Sequence, residues 1–178
     1  MTPTVEIECR QGDIANQPDM DAVVNAANAQ LMSGGGVAGA LHRAAGPGLA
    51  HECQPEAPIR PGQAVITGAH DLPNRHVIHC LGPVYGRDEP SDALLASCYR
   101  EAIRLAEEQE LASIAFPALS TGAFGYPMNE ATRVALTTVL KETQHCDHLR
   151  QVRFILHDGE SLALYQQTLS MLKDAESS

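Results

Sequence analysis

Apolar and polar positions alternate along this chain with two different periods. Short apolar runs and two-residue alternation predict strands, and apolar residues that recur every three or four positions predict helices. The strand pattern covers residues 5–9, 22–24, 64–67, 77–80, 113–116 and 152–156. The helical pattern covers residues 36–45, 47–53, 91–110, 129–140 and 161–172. Strands and helices therefore follow one another along the chain.

The ends of several predicted helices carry recognisable signals. Gly46 and Pro47 separate two helices, and proline is favoured in the first turn of the second. Ser91 and Asn129 have side chains that commonly cap helix N-termini, and we expect each to cap the helix that it precedes.

The succession of strands and helices predicts a three-layer α/β fold, in which helices cover both faces of a mixed, mostly parallel sheet. The 178 residues suit one domain. No linker or internal repeat interrupts them, so we expect residues 1–178 to form a single domain, with the polar residues 174–178 as a flexible tail. Ligands of such folds bind beyond the carboxyl ends of the strands. The segments that follow the predicted strands are therefore the candidates for function.

Charge and composition argue against several classes of function. Lys and Arg number 12 and Asp and Glu number 22, which gives a formal net charge of −10 with no basic cluster to offset it. Such a surface repels a long polyanion, so we expect no general nucleic-acid binding. No apolar run approaches the roughly 20 residues that span a bilayer. Residues 1–10 carry no secretory signal, so we expect a cytoplasmic protein, and its five scattered cysteines are expected to be reduced thiols.

Two segments that follow predicted strands carry candidate chemistry. Asp13 places a carboxylate where it can accept a hydrogen bond from an exocyclic amine such as that of adenine; taken alone, a turn or helix-cap role is the simpler interpretation. The second segment runs from Asn25 and Asn28 into glycines 34–36 at the start of a helix. Consecutive glycines let the backbone approach a ligand closely, and the N–H groups of a helix N-terminus attract phosphate. The alternative for these glycines is a flexible connection.

A third segment, residues 118–127, follows the strand 113–116 and is rich in serine, threonine and glycine. It suits a second phosphate-binding loop with the ring of Phe124 against a sugar; the alternative is an ordinary turn with Phe124 in the core. Two phosphate-binding loops of different sequence indicate a ligand with phosphates in its middle and sugars on either side.

In this order and spacing, the segments resemble the macro domain family over about residues 5–172. The resemblance rests on Gly12-Asp13-Ile14, residues 21–28, the triple glycine with Val37, His42-Arg43-Ala44-Ala45-Gly46-Pro47, Leu72-Pro73, Val77-Ile78-His79 and residues 116–127. It is strongest with the MacroD-type branch, which removes mono-ADP-ribose from acidic side chains and deacetylates O-acetyl-ADP-ribose. It implies ADP-ribose, mono-ADP-ribosylated proteins and O-acetyl-ADP-ribose as partners, with no cofactor.

The resemblance also implies roles for individual residues. Asp13 and Ile14 would hold the adenine, and His157 would lie against its ring, although an exposed loop histidine is an equally good interpretation. Asn28 would contact the distal ribose, with the Phe124 ring nearby. The remaining ligand-binding residues would be Gly34, Gly35, Gly36 and Val37 on one side of the diphosphate and Ser120, Thr121, Gly122, Ala123, Phe124, Gly125 and Tyr126 on the other.

One position departs from the family pattern. MacroD-type enzymes carry an Asp directly after the Gly-Gly-Gly-Val run, credited with activating water, and this chain has Ala38 there. An alanine can neither orient water nor accept a proton. Two hypotheses follow: a hydrolase that works by positioning and preorganised electrostatics, with Asn28, His42 and Phe124 as its catalytic residues, and a reader that binds ADP-ribose unchanged. We favour the hydrolase because the frame is MacroD-like; for His42, burial as a structural histidine is the alternative.

The sequence predicts no metal site and gives no reason to expect more than a monomer. His145, Cys146 and His148 cluster near a helix end, where Asp147 and solvent account for them. His76 and His79 lie three apart, so on a strand they point to opposite faces and cannot share a metal.

Overall fold

The computed structural model describes residues 4–177, and their side chains as far as residue 175. Six strands alternate with five α-helices. The strands are β1 Glu6–Gln11, β2 Ala22–Ala26, β3 Ala64–Gly68, β4 His76–Cys80, β5 Ser113–Phe116 and β6 Gln151–Leu156. The helices are α1 Gly36–Ala45, α2 Pro47–Cys53, α3 Ser91–Glu108, α4 Met128–Thr143 and α5 Gly159–Ser177, with a short 3₁₀ turn at Gln54–Glu56.

The strands form one mixed sheet in the order β1-β6-β5-β2-β4-β3. Every neighbouring pair is parallel except β3 with β4, which is antiparallel. The carboxyl ends of the five parallel strands therefore lie along one edge of the sheet. This confirms the predicted mixed, mostly parallel architecture.

Helices cover both faces of the sheet because successive strand residues point to opposite sides. Phe116 and Phe154 point to one face, where they pack in a core that also contains α3, α4 and α5. Ala115 and Ile155 point to the other face, in a second core with α1 and α2. The chain therefore has three layers, as the sequence predicts.

Two predicted helix caps are wrong. The helix α3 begins at Ser91 itself, and the capping position is the extended Pro90. The Ser91 hydroxyl instead donates to the backbone carbonyl of Asp88 at 2.6 Å. Asn129 lies inside α4, whose capping position is the extended Pro127. In both places a proline restricts the backbone just before the helix, and neither capping position makes a side-chain hydrogen bond.

The closing helix is longer than its hydrophobic pattern predicts. Asp158 accepts a hydrogen bond from the Ser161 N–H at 2.7 Å and so starts the helix two residues early. The helix continues to Ser177, so residues 174–177 of the expected flexible tail are helical, and residue 178 lies outside the described part. Once begun, a helix adds residues at low cost, which carries it past its last core contact. Among the described residues, no helix is long and apolar enough to cross a membrane.

Candidate functional site

A cavity of about 720 Å³ lies at the carboxyl edge of the sheet. Its walls come from the segments that follow β1, β2, β5 and β6, from the start of α1, and from Gly82 after β4. The structure brings most of the predicted binding residues together in these walls. Gly125, Tyr126 and His42 are the predicted site residues that do not line it.

Strand order determines which residues lie at each end of the cavity. Asp13 and His157 follow β1 and β6, the first two strands of the sheet. Asn28 and Gly82 follow β2 and β4, which are neighbours further across. The loop after β5 lies between them. The cavity therefore runs from a carboxylate and an imidazole at one end to an amide at the other.

The first glycine loop points a helix N-terminus into the cavity. The α1 helix begins at Gly36, its capping position Gly35 provides no side-chain hydrogen bond, and no acidic residue lies in its first turn. Its first N–H groups therefore remain available to an anion. Gly39 lets the glycine loop pack closely on this helix, because a Cβ at Gly39 would lie 2.2 Å from the Gly34 carbonyl oxygen.

The second loop closes on itself through its backbone. The Tyr126 N–H donates to the Ser120 carbonyl at 2.9 Å, and the Gly125 N–H donates to the Gly122 carbonyl at 3.0 Å. These bonds explain why Gly125 and Tyr126 lie behind the lining: they form the base of the loop. Thr121, which lies nearer the tip, donates its hydroxyl to the Ala118 carbonyl at 3.1 Å.

Ser120 is the strained residue of this loop. Its φ of 67° lies in the left-handed region, which costs a non-glycine residue about 1–2 kcal/mol. Its side chain is only 7% exposed, and its hydroxyl oxygen has no hydrogen-bond partner among the described residues. Gly82 lies against it, since a Cβ at that position would be 2.1 Å from the Ser120 Oγ. The hydroxyl is therefore buried against Gly82, and a residue held at such a cost in backbone strain is typical of the loops that form binding sites.

At the β1 end, Asp13 accepts hydrogen bonds through both its side chain and its backbone. Its Oδ1 accepts the Ala15 N–H at 2.9 Å, which forms the turn that the sequence predicts as the simpler interpretation. Its backbone carbonyl accepts the Gln17 amide at 2.8 Å, and Gln17 in turn accepts the buried Arg153 guanidinium at 2.9 Å. These bonds hold the loop against the core. Because the Ala15 N–H uses only Oδ1, the second carboxylate oxygen of Asp13 is left for a ligand.

At the opposite end, the Asn28 side chain bonds the backbone of Met32 twice. Its amide donates to the Met32 carbonyl at 2.9 Å, and its Oδ1 accepts the Met32 N–H at 3.0 Å. One amide hydrogen and one lone pair remain for a ligand. Phe124 is half-buried and packs on the core beneath α1 and α2. Both residues line the cavity.

His42 is the main correction to the predicted site. It is buried on α1, does not line the cavity, and its Nε2 has no partner among the described residues. Burial lowers its pKa, so the ring is neutral at pH 7. The helix turns this side chain toward His79 of β4 and away from the cavity. The geometry therefore favours the structural alternative for His42.

Ionisable groups are scarce in the cavity walls. Within residues 4–177, Asp13 is the one carboxylate and His157 the one imidazole in the lining, and both lie at the β1 and β6 end. His157 is highly exposed, with its Nε2 3.1 Å from an oxygen of Asp158. Ala38 is buried in the wall, so that position has no acid or base. No group of three or more potential metal-binding side chains occurs in the described part of the chain.

The sequence predictions missed several apolar residues of the lining. Gly82 and Pro117 lie one or two residues past the ends of β4 and β5, and the position of each after a strand was the available signal. Ile155 and Leu156 at the end of β6 also line the cavity, as do Ala26, the last residue of β2, and Ala27 directly after it. These residues carry no chemistry that marks them in sequence.

Comparison with known proteins gives a consistent result. The family model described as Macro domain matches residues 24–135. A macro domain-containing protein of Listeria monocytogenes is 45% identical over 93% of this chain and 98% of its own length. An O-acetyl-ADP-ribose deacetylase of Salmonella typhimurium is 45% identical over 96% of this chain and 98% of its own.

Solved structures agree with these sequence comparisons. The Oceanobacillus iheyensis macrodomain with ADP superposes with a TM-score of 0.89 at 37% identity, covering 94% of this chain and 91% of that one. The Trypanosoma brucei macrodomain in complex with ADP-ribose superposes with a TM-score of 0.85 at 36% identity, covering 91% of this chain and 68% of that one.

Proposed function

This chain belongs to the macro domain family, and from that premise we propose that it binds ADP-ribose and hydrolyses bonds at the distal ribose. The substrates would be O-acetyl-ADP-ribose and proteins that carry mono-ADP-ribose on Asp or Glu, met in the cytoplasm by a monomer. The main support is the cavity, which has two backbone loops in its middle and a different polar group at each end. Relatives named O-acetyl-ADP-ribose deacetylase, 44% to 45% identical over most of the chain, support the enzymatic activity.

The order of residues along the cavity matches the order of groups in ADP-ribose. Adenine would lie at the β1 end, with its exocyclic amine on the free oxygen of Asp13 and its ring beside His157. The diphosphate would lie between the α1 N-terminus and the loop after β5, bound by backbone N–H groups. The distal ribose would then reach Asn28 and Phe124. Backbone N–H donors add no charge, which is consistent with anion binding by a chain of net charge −10.

The proposed hydrolysis depends on positioning, because Ala38 offers no base. Asn28 would orient a ribose hydroxyl, and the Phe124 ring would limit the positions that the sugar can take. A water held against a substrate phosphate oxygen would attack the anomeric carbon. The bond from that carbon to the carboxylate oxygen then breaks, the acidic side chain leaves as a carboxylate, and one proton passes to solvent. Orientation of this kind can lower the activation barrier by several kcal/mol.

One observation favours a reader instead. Among the lining residues that the structure describes, none at the distal end can accept a proton at neutral pH. A reader would use the same cavity and release ADP-ribose unchanged.

Two reactions separate the hydrolase from the reader. The first is release of ADP-ribose from a protein mono-ADP-ribosylated on Glu or Asp, and the second is release of acetate from O-acetyl-ADP-ribose. We expect turnover by the unmodified chain and its loss in Asn28→Ala, with ADP-ribose binding retained as evidence that the fold is intact. Ala38→Asp should increase turnover, and Ala38→Asn is the matched control that adds a side chain of the same shape without a base. Tight binding with no turnover, and activity only in Ala38→Asp, would make the chain a reader.

A further inference from the structure

Large exposed apolar side chains are rare on this protein, and two of them flank the distal end of the cavity. In the described part of the chain they are Met32, 60% exposed, Tyr85, 44% exposed, and Met171, 55% exposed. Met171 lies on α5, whereas Met32 follows β2 and Tyr85 follows β4, the strands at the distal end. Single exposed apolar residues are common, but a pair at the mouth of a binding site indicates a contact surface.

The structure holds both residues in place through the site itself. The Asn28 side chain bonds both backbone groups of Met32, so the Met32 side chain is presented from a fixed backbone. The Tyr85 N–H donates to the Phe124 carbonyl at 2.9 Å, which ties the Tyr85 segment to the loop after β5. Their backbones are thus ordered before anything binds, which lowers the entropy cost of using them in recognition.

Tyr85 is an aromatic group with a fixed ring. Its centroid lies 4.8 Å from that of buried Tyr126 at a 55° tilt, and its hydroxyl donates to Glu130 at 3.3 Å. The residue is nevertheless 44% exposed. A supported, half-exposed tyrosine offers a flat face to an incoming chain or cation.

The surface around Tyr85 is acidic. The charge of Glu130 raises the pKa of Tyr85, and Glu89 adds to that rise. Burial raises the pKa of Tyr126, and the charges of Asp92 and Glu130 raise it further.

Arg87 and Asp88, which lie in the same segment as Tyr85, largely offset each other's charge. Arg87 has its Nε 3.7 Å from Asp88, whose other oxygen accepts the Val84 N–H at 2.8 Å. Glu89, Asp92 and Glu130 therefore remain as net negative charge around the pair Tyr85 and Tyr126. We call Met32, Tyr85, Glu89, Asp92 and Glu130 the distal rim.

We propose that the distal rim binds the polypeptide that carries ADP-ribose, with a preference for Lys or Arg next to the modified residue. This inference rests on the proposed function, because the distal ribose must point toward the rim. An acetyl group is too small to extend beyond the ribose, whereas a polypeptide attached there must pass over the rim. Tyr85 would contact the apolar stems or cationic ends of basic side chains, and the three carboxylates would attract their charge. The rim would therefore distinguish protein substrates from O-acetyl-ADP-ribose.

The test compares free ADP-ribose with two synthetic peptides that carry it through a linkage resistant to hydrolysis. Lys residues flank the modified position in one peptide, and Glu residues flank it in the other. The wild-type protein should bind the Lys peptide more tightly than the Glu peptide, and the difference should shrink in high salt. Tyr85→Ala and Met32→Ala should each weaken binding of the Lys peptide by about five- to tenfold. Binding of free ADP-ribose should change by less than about twofold.

Met171→Ala is the matched control, since it removes an equally exposed methionine far along α5 and should change neither affinity. Glu89→Gln with Glu130→Gln should reduce the preference for the Lys peptide while leaving the affinity for free ADP-ribose intact. If Tyr85→Ala lost affinity equally for the Lys peptide and for free ADP-ribose, or lost affinity for neither, the inference would be overturned and the proposed function would stand. A wild-type protein that bound neither would refute both.

Discussion

Replacing Asp13 by asparagine is expected to weaken ADP-ribose binding without disturbing the loop that carries the residue. Asp13 Oδ1 accepts the Ala15 N–H at 2.9 Å, and asparagine keeps an amide oxygen for that bond. The second carboxylate oxygen becomes an NH₂ group. Opposite the exocyclic amine of adenine, the variant therefore presents a donor to a donor.

The size of the loss follows from the hydrogen bond removed. A hydrogen bond to a charged group contributes about 1.5–3 kcal/mol. Asp13 is exposed, so water competes for the carboxylate and the lower end of that range applies. A loss of about 1.5 kcal/mol corresponds to roughly a tenfold rise in Kd. Asp13→Ala should lose more, because it also removes the acceptor of the Ala15 N–H and loosens the turn.

Titration calorimetry with two ligands separates this cause from a general loss of structure. One ligand is ADP-ribose, and the other carries hypoxanthine, whose carbonyl oxygen replaces the amine of adenine. The wild-type protein should prefer adenine, and Asp13→Asn should lose most of that preference because its NH₂ group can donate to the carbonyl. An unchanged thermal midpoint serves as the folding control. If Asp13→Asn bound ADP-ribose as tightly as the wild type, or lost the same affinity for both ligands, the carboxylate would not face the base.

Three further predictions concern the support of the site. Gly82→Ala should lower the free energy of unfolding by about 1–3 kcal/mol, because its Cβ would lie 2.1 Å from the Ser120 Oγ; adding Ser120→Gly should restore much of the lost free energy of unfolding in urea titrations, and no restoration would show that the clash is not with the Ser120 side chain. Gln17→Leu should weaken ADP-ribose binding measurably, since the Gln17 amide holds the Asp13 carbonyl at 2.8 Å; equal Kd values in calorimetry would show that the brace is dispensable. Burial lowers the pKa of His79 from 6.5 to about 3, so stability is complete above about pH 6.5 and falls as the pH drops. Between pH 6.5 and pH 5 the free energy of unfolding should therefore fall by about 2 kcal/mol, and His79→Gln should not show this part of the fall when urea titrations at the two pH values are compared. If the variant lost as much stability as the wild type between the two pH values, His79 would not be the cause.

The sequence predicted the secondary structure well where the hydrophobic pattern agreed with the residues that begin or end an element. The structure confirms the bounds of the helices α1 and α2 and of the strand β5 without change. In α1 and α2 the glycines and Pro47 mark the ends, and β5 is a short fully buried run. The caps at Ser91 and Asn129 were wrong because a proline before each helix had already fixed the turn. Local propensity cannot rank two competing local signals.

The candidate site shows a similar division. The two glycine loops, Asp13 and Asn28 follow strand ends, so topology alone brings them to one edge of the sheet. His42 does not line the cavity because its position on α1 buries its side chain, a direction that the sequence motif does not encode. Gly82 was missed because its importance lies in a contact with Ser120, 38 positions along the chain.

By itself, the sequence determined the number and order of most elements, the α/β class and the segments that carry chemistry, because each depends on local periodicity and on residues next to strand ends. Only the tertiary structure decided which side chains face the cavity, how Asn28 holds Met32, and how Tyr85 is fixed against Phe124 and Tyr126. Those features depend on strand order and on contacts between residues far apart in the chain. Such contacts exist only once the cores on both faces of the sheet have formed and set each loop in its place.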